Sequence, residues 1–138
     1  MKRGEAVFVD SGAWIALALS RDRLHMQARE HWDLLRQAGA KLHTSIPVIL
    51  ETFTFLDRNA NREVALMWRE TIYRPGVVKI LNCDLRDLEQ SWGYFRRPDL
   101  HKLSAVDATS FAIMRRARIH LAYSFDYHFA VAGFRMVA

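Results

Sequence analysis

Four acidic residues occupy positions where a chain commonly places chemistry. Asp10 follows the apolar run 6–9, and Asp126 follows a second apolar run at 120–124. Asp107 lies in the first turn of a predicted helix, and Glu51 is the only charged residue of an otherwise apolar helical segment before Asp57. Ligands of open α/β sheets bind just outside the carboxyl ends of the strands, and parallel strands share that edge. The spacing therefore predicts that the four carboxylates converge.

Converging carboxylates repel one another and raise each other's pKa unless a cation lies among them. Ligation by oxygen alone favours Mg²⁺ or Mn²⁺ over zinc, and the histidines show no paired spacing typical of a zinc site. Each acid also has a purely structural interpretation. Asp10 and Asp126 are candidates for helix caps, and Glu51 for a narrow solvent-facing stripe. Asp107 completes the capping-box pattern Ser104-x-x-Asp107.

The hydrophobic periodicity divides the chain into alternating strands and helices. Strands are predicted at 6–10, 41–44, 77–81, 120–124 and 134–137, and helices at 11–20, 24–38, 46–58, 62–73, 84–96 and 104–116. This alternation indicates the α/β class, with a mostly parallel central sheet covered on both faces. Residues 1–138 are predicted to form a single domain, since no repeat or linker interrupts the order. The last strand follows too closely for a long crossover helix, so its direction stays open.

Composition limits the possible partners and compartments. The formal charge is +5, from 20 Lys and Arg against 15 Asp and Glu, which indicates an anionic partner such as nucleic acid. The single cysteine, Cys83, excludes a disulfide within the chain and suits a reducing cytoplasm. No apolar run approaches the roughly 20 residues of a membrane span. A cytoplasmic protein without a membrane partner is expected.

Four segments carry a resemblance to a known family, and together they cover nearly the whole chain. They are VFVDSGA at 7–13, the isolated Glu51, LSAVDATSFA at 103–112, and SFDYHF at 124–129 followed by AGF at 132–134. With these segments the chain resembles the PIN-domain nucleases, and among them the VapC-type toxins of prokaryotic toxin–antitoxin pairs. The resemblance implies a three-layer α/β/α fold, an acidic Mg²⁺ or Mn²⁺ site and endoribonuclease activity.

The resemblance also assigns residues to the site. Asp10, Glu51, Asp107 and Asp126 match the acidic quartet, which is catalytic and binds metal, with Ser11 and Ser124 as supporting hydroxyls. Asp10, Asp107 and Asp126 are expected to hold one or two divalent ions, so that a metal-activated water hydrolyses the RNA phosphodiester bond. Some members use a further acid before the third. Asp99 is a candidate for it but is left outside the core set.

An acidic site repels RNA, so a basic rim is expected around it. The best candidates are Arg96, Arg97 and Lys102, because their loop leads directly to Asp107. Single-stranded RNA also requires an aromatic platform. The candidates for that platform are Tyr94, Phe95 and Tyr127, with a core position favoured for Phe95.

Apolar residues at helical spacing predict buried helix faces and further partners. Segment 46–58 is apolar on nearly all sides, and Trp92 and Phe95 continue the spacing of segment 84–96, so these residues are expected in the core. The first helices carry more apolar side chains than one small core needs, namely Trp14, Leu17, Leu19 and Trp32. They predict a homodimer or a groove for a cognate antitoxin protein.

Two alternatives to a toxin stay open on the sequence. One is a PIN nuclease that processes RNA without being a toxin. The other is a non-catalytic α/β module that binds nucleic acid or protein, with its acids serving only as helix caps.

Overall fold

The computed structural model describes all 138 residues, and its strands and helices follow the predicted order. The strands are β1 Ala6–Val9, β2 Lys41–Ser45, β3 Lys79–Leu81, β4 Leu121–Tyr123 and β5 Arg135–Met136. The helices are α1 Ser11–Ala18, α2 His25–Gln37, α3 Ile46–Asn59, α4 Arg62–Ile72, α5 Leu85–Ser91, α6 Ala105–Ala117 and α7 His128–Val131. None of these helices has the length and apolar character that a membrane crossing requires.

The five strands form one sheet in the order β3-β2-β1-β4-β5, and every neighbouring pair is parallel. The central strand β1 is buried on both faces, with Val7, Phe8 and Val9 at 0% exposure, because helices flank the sheet. This architecture confirms the predicted α/β class and the α/β/α arrangement of layers. All carboxyl ends of the strands therefore point to one edge of the sheet.

The direction of the last strand, open on the sequence, is parallel to β4. The connection contains only α7, which has 4 residues, followed by Gly133. Gly133 has φ 105°, a backbone conformation that side chains with a Cβ rarely adopt. A single turn of helix and one glycine therefore replace the long crossover helix that usually joins parallel strands.

One helix face differs from the prediction. The helix α3 buries Val48, Thr52 and Leu56, whereas Ile46 is 42% exposed and Leu50 is 63% exposed. The prediction that this segment is buried on nearly all sides was wrong. An amphipathic stripe covers the sheet, and a second apolar face of α3 lies in solvent.

The segment predicted as one helix at 84–96 consists of α5 and a 3-10 turn at Trp92–Arg96. Trp92 is 45% exposed and Phe95 is 46% exposed, so the prediction that they lie in the core was wrong. A 3-10 turn has three residues per turn and aligns positions i and i+3. The two rings accordingly lie against each other, 6.2 Å between centroids, rather than on the buried face of α5.

Candidate metal centre

Asp10 reaches the site because it continues the central strand. Its N–H donates to the Tyr123 carbonyl at 3.0 Å, and its own carbonyl accepts from the first amides of α1. Its side chain makes no capping hydrogen bond to α1. The Oδ2 atom accepts a hydrogen bond from Ser124 Oγ at 3.0 Å, whereas Oδ1 is buried without any partner. The carboxylate is thus not used for capping and carries an unsatisfied buried oxygen.

Asp107 is positioned by the start of α6. Its N–H donates to the Ser104 side chain at 3.0 Å, so Ser104 caps the helix and the Asp107 carboxylate is left to face the site. Asp107 is 6% exposed. The predicted capping box is therefore only half formed, since the helix start uses the Ser104 hydroxyl and not the Asp107 carboxylate.

Asp126 follows β4 in a turn that its own side chain stabilises. Its N–H donates to Ser124 Oγ at 3.0 Å, and its Oδ1 accepts from the His128 N–H at 2.9 Å. The capping interpretation of Asp126 thus holds in part, because Oδ1 fixes the turn before α7. The Ser124 hydroxyl joins this turn to Asp10 and so links two of the four acids through one oxygen.

Glu51 comes to the same place from α3. Its Oε1 accepts a hydrogen bond from Ser11 Oγ at 2.5 Å, which ties α3 to the first residue of α1. The side chain is partly buried and lines the pocket together with the other three acids. The predicted convergence is therefore present in the structure: the acids line one cavity of about 520 Å³, whose other lining residues are Ser11, Gly12, Lys102, Ser104, Phe125 and Tyr127.

Asp10 and Asp107, the two most buried acids of the cluster, resist ionisation in the absence of a cation. Burial raises the pKa of Asp107 to about 9, and the negative charges of Asp10 and Asp126 add to this effect. Burial also raises the pKa of Asp10 to about 6, against the lowering effects of the nearby Ser11 backbone N–H and of the Ser124 hydroxyl. Burial opposes ionisation of Asp126 too, but hydrogen bonds from His128 and Asp107 hold its pKa below the ordinary value. Asp107 therefore keeps a proton at neutral pH in the absence of a cation.

The buried acid outside this cavity, Asp87, differs from Asp10 and Asp107 because an arginine compensates its charge. Asp87 is 2% exposed, and Arg116 donates to both of its oxygens, at 2.8 and 3.0 Å. Its charge is thus compensated within the protein. Asp10 and Asp107 have no arginine or lysine at salt-bridge distance. A buried carboxylate cluster without a cation, together with the unpartnered Oδ1 of Asp10, fits a bound divalent ion with oxygen ligands.

His128 belongs to the cluster, although the sequence did not assign it. Ligand atoms of Asp107, Asp126 and His128 lie within 4.8 Å of one another. Its Nδ1 is 2.7 Å from Asp126 Oδ1, and its Nε2 is 2.6 Å from the His101 carbonyl oxygen. Burial lowers the pKa of His128, but the Asp126 carboxylate and the His101 carbonyl outweigh burial and raise it. Nε2 is thus hydrogen-bonded, whereas Nδ1 forms a close contact with Asp126 that lacks hydrogen-bond geometry. The spacing Asp126-x-His128 was the available signal in the sequence.

The three predicted rim cations are not equivalent in the structure. Lys102 lines the acidic cavity and has φ 57°. Arg97 instead pairs with Asp99 at 2.7 Å and donates to the Val131 carbonyl at 3.0 Å. Arg96 is exposed and does not line the cavity. Asp99, left outside the core set on the sequence, likewise does not line it.

Comparison with known proteins covers almost the whole chain. Residues 7–135 match the PIN domain family. The chain is 36% identical over 128 residues to the 23S rRNA-specific endonuclease VapC20 of Mycobacterium tuberculosis, a match that covers 93% of this chain and 95% of that protein. The crystal structure of VapC20, a sarcin–ricin loop cleaving toxin, aligns with a TM-score of 0.83 at 34% identity, again over 93% and 95% of the two chains.

A more distant solved structure is similar in fold alone. VapBC2 from Rickettsia felis, bound to a DNA fragment from its promoter, aligns with a TM-score of 0.68 at 9% identity. The alignment covers 95% of this chain and 96% of that chain.

Proposed function

The chain belongs to the PIN-domain family, among its VapC-type members, and from this premise we propose that it is a metal-dependent endoribonuclease, the toxin of a type II toxin–antitoxin pair. The resemblance inferred from the sequence is confirmed. The observation that carries the proposal is the convergence of four carboxylates in one cavity, in which no arginine or lysine lies at salt-bridge distance from Asp10 or Asp107. A module whose acids serve only as helix caps does not explain Asp10, whose side chain caps nothing.

The substrate we propose is RNA, and 23S rRNA is the first RNA to test. Identity of 36% over nearly the full length to a 23S rRNA-specific endonuclease supports this choice, and so does the formal charge of +5. The same full-length similarity to a toxin favours the toxin over an RNA-processing PIN nuclease.

In the mechanism we propose, Asp10, Asp107 and Asp126 hold Mg²⁺ or Mn²⁺, and Glu51 assists through a water molecule. The ion supplies compensation of charge at the scissile phosphate and makes water a ready nucleophile at neutral pH. Ser124 holds the Asp10 carboxylate through Oδ2 and leaves Oδ1 free to bind. No serine, cysteine or histidine nucleophile is required.

The remaining residues position these acids. Ser11 holds Glu51, and the His128 backbone N–H fixes the orientation of Asp126 through Oδ1. Hydrogen bonds to the ligand side chains orient those ligands, and removing one commonly lowers metal affinity about 10- to 100-fold. Lys102, at the rim of the cavity, binds the RNA phosphates.

Cleavage is expected to require a divalent ion. Purified protein incubated with 23S rRNA should produce discrete fragments in Mg²⁺ or Mn²⁺, none in EDTA, and fragments again once Mn²⁺ is restored. Mapping the fragment ends by sequencing measures both the activity and the cut position. Cleavage that persists at full rate in EDTA would contradict the mechanism.

We place the antitoxin in an apolar groove away from the acids. The groove encloses about 460 Å³, and three tryptophans form its floor: Trp14 lies 6.2 Å from Trp32 and 6.0 Å from Trp68 between ring centroids. Met67, on its wall, is 62% exposed. An amphipathic helix is the partner that such an apolar groove accommodates.

Met67→Glu is expected to abolish binding of the antitoxin and to leave RNA cleavage unchanged. The introduced carboxylate must lose its water against tryptophan rings in the complex, whereas in the free protein it stays solvated. Co-purification with the cognate antitoxin, once it is identified, measures the effect. Leu85→Glu is the matched control, because Leu85 is 72% exposed and does not line the groove. Normal co-purification of Met67→Glu would remove the groove from the antitoxin interface.

The predicted homodimer stays a prediction. The exposed apolar face of α3, with Ile46 and Leu50, is the surface we propose for it, and light scattering over a wide concentration range tests it.

A further inference from the structure

One exposed aromatic ring lies at the mouth of the acidic cavity. Five aromatic side chains of the molecule are substantially exposed, namely Phe55, Tyr73, Trp92, Phe95 and Tyr127. Tyr127 is the most exposed of them at 62%, and of the five it alone lines the acidic cavity. It directly follows Asp126 in the chain and shares the cavity lining with all four acids.

The Tyr127 ring is held from one side only. It stacks on the His128 imidazole, with 4.7 Å between centroids and 26° between planes. His128 is 8% exposed and is anchored to Asp126 and to the His101 carbonyl. One face of Tyr127 thus rests on a fixed ring. The rest of the side chain is open to solvent beside the cavity.

The other aromatic candidates are already engaged. Phe125, which also lines the cavity, stacks on His31 at 5.8 Å and contacts Tyr123 edge-on at 6.2 Å. Tyr94 packs against Phe111, and its hydroxyl accepts a hydrogen bond from Arg115. Other protein groups already contact these rings where a nucleobase would have to stack. Tyr127 is the ring at this cavity with a free face.

We propose that Tyr127 is the stacking platform for a nucleobase that flanks the scissile phosphate. The inference rests on the proposed endoribonuclease activity and adds a nucleobase subsite to it. Acids at the centre of the cavity repel the RNA backbone, so affinity for RNA has to come from groups at the rim. Lys102 contributes a positive charge there, and Tyr127 contributes a π face that any base can stack on. The base is unpaired when it stacks, which makes a loop or a single strand the RNA class this subsite takes.

The test is steady-state cleavage of a short RNA that contains the mapped cut site. Tyr127→Ala is expected to raise KM about 10- to 100-fold with kcat within about threefold, because the stacking contact is lost and the acids are untouched. Tyr127→Phe keeps the ring and should restore KM to the wild-type value. Tyr73→Ala, which removes a ring of similar exposure outside the cavity, should leave KM unchanged.

An abasic nucleotide identifies the contact as stacking. Placed on one side of the cut, it should raise the wild-type KM as much as Tyr127→Ala does, and the variant should lose nothing further from it. An unchanged KM for Tyr127→Ala, an equal loss in Tyr127→Phe, or additive effects of variant and abasic site would each overturn the proposal. If the wild-type protein cleaves no RNA, the proposed function fails. Fluorescence anisotropy with a short single-stranded RNA in Mn²⁺ then tests the stacking contact, by comparing the Kd values of wild type, Tyr127→Ala, Tyr127→Phe and Tyr73→Ala.

Discussion

Asp107→Asn is expected to lower RNA cleavage by about a thousandfold or more while the protein stays folded. Asparagine has the shape of aspartate but not its charge, so it cannot complete an anionic site for a divalent ion. The Asp107 side chain does not cap α6, since Ser104 performs that role. The loss therefore reports on chemistry and not on the start of the helix.

The same change is expected to stabilise the metal-free protein. Burial and two neighbouring acids raise the pKa of Asp107 to about 9, so its ionised form is unfavourable in the folded state. The wild-type carboxyl must take up a proton when the chain folds at neutral pH, which costs stability. An amide is neutral without that proton, and it donates to Asp126 as the protonated carboxyl does. Thermal unfolding in EDTA should therefore show a higher Tm than wild type, which is typical of residues kept for function at the expense of stability.

Asp99→Asn is the matched control for this experiment. Asp99 is an exposed acid that precedes Asp107, pairs with Arg97 and does not line the cavity. Its substitution should leave cleavage within about twofold, because an exposed ion pair contributes little. Cleavage by Asp107→Asn at the wild-type rate would refute the proposed site. A large loss in Asp99→Asn would instead add Asp99 to it.

Metal-free protein is expected to become less stable as the pH rises from about 4 to about 9. The pKa of Asp10 is about 6 and that of Asp107 about 9 in the folded state, against roughly 3.9 for Asp in an unfolded chain. The folded state thus binds more protons between these values, and the free energy of unfolding falls as pH increases. For Asp10 alone the change is on the order of 3 kcal/mol. Asp126, whose pKa is lowered, changes stability only below about pH 4 and does not affect this pH range.

A divalent ion should reverse this trend, because it binds the ionised carboxylates. At a concentration of Mn²⁺ about 100 times its Kd, the stabilisation is about 2.7 kcal/mol, or roughly 5–10 °C in Tm. The shift should be large at pH 8 and small at pH 5, where protons compete for the same oxygens.

Unfolding followed by circular dichroism, with EDTA or Mn²⁺ at both pH values, measures this shift in Tm. Equal Mn²⁺ shifts at the two pH values, or a Tm that rises with pH in EDTA, would contradict the prediction. Asp107→Asn should flatten both dependences.

Several features were predictable because their causes are local in the chain. Asp10 and Asp126 each follow an apolar run, and strands alternate with amphipathic helices, so a parallel sheet with both acids at one edge follows from periodicity. The positions of Glu51 and Asp107 follow the same logic. The family resemblance then extended this geometry to a function.

The tertiary structure decided which side chains are free to act, since that depends on contacts between distant residues. Arg97 is occupied by the Val131 carbonyl, 34 positions away, so it is not the free rim cation that its loop indicated. The His101 carbonyl, 27 positions away, anchors the His128 ring beside the acids, and the Tyr127 ring stacks on His128.

The exposure of apolar side chains also depended on the tertiary structure and not on the local pattern alone. Trp92, apolar and at helical spacing, is exposed because a 3-10 turn takes it off the buried face of α5. The sequence by itself determined that four carboxylates would meet, because the order of strands and helices forces them to one edge of the sheet. Only the tertiary structure decided which residues surround them. Side-chain contacts depend on packing between segments that are distant in the chain, so the periodicity of the sequence does not predict them.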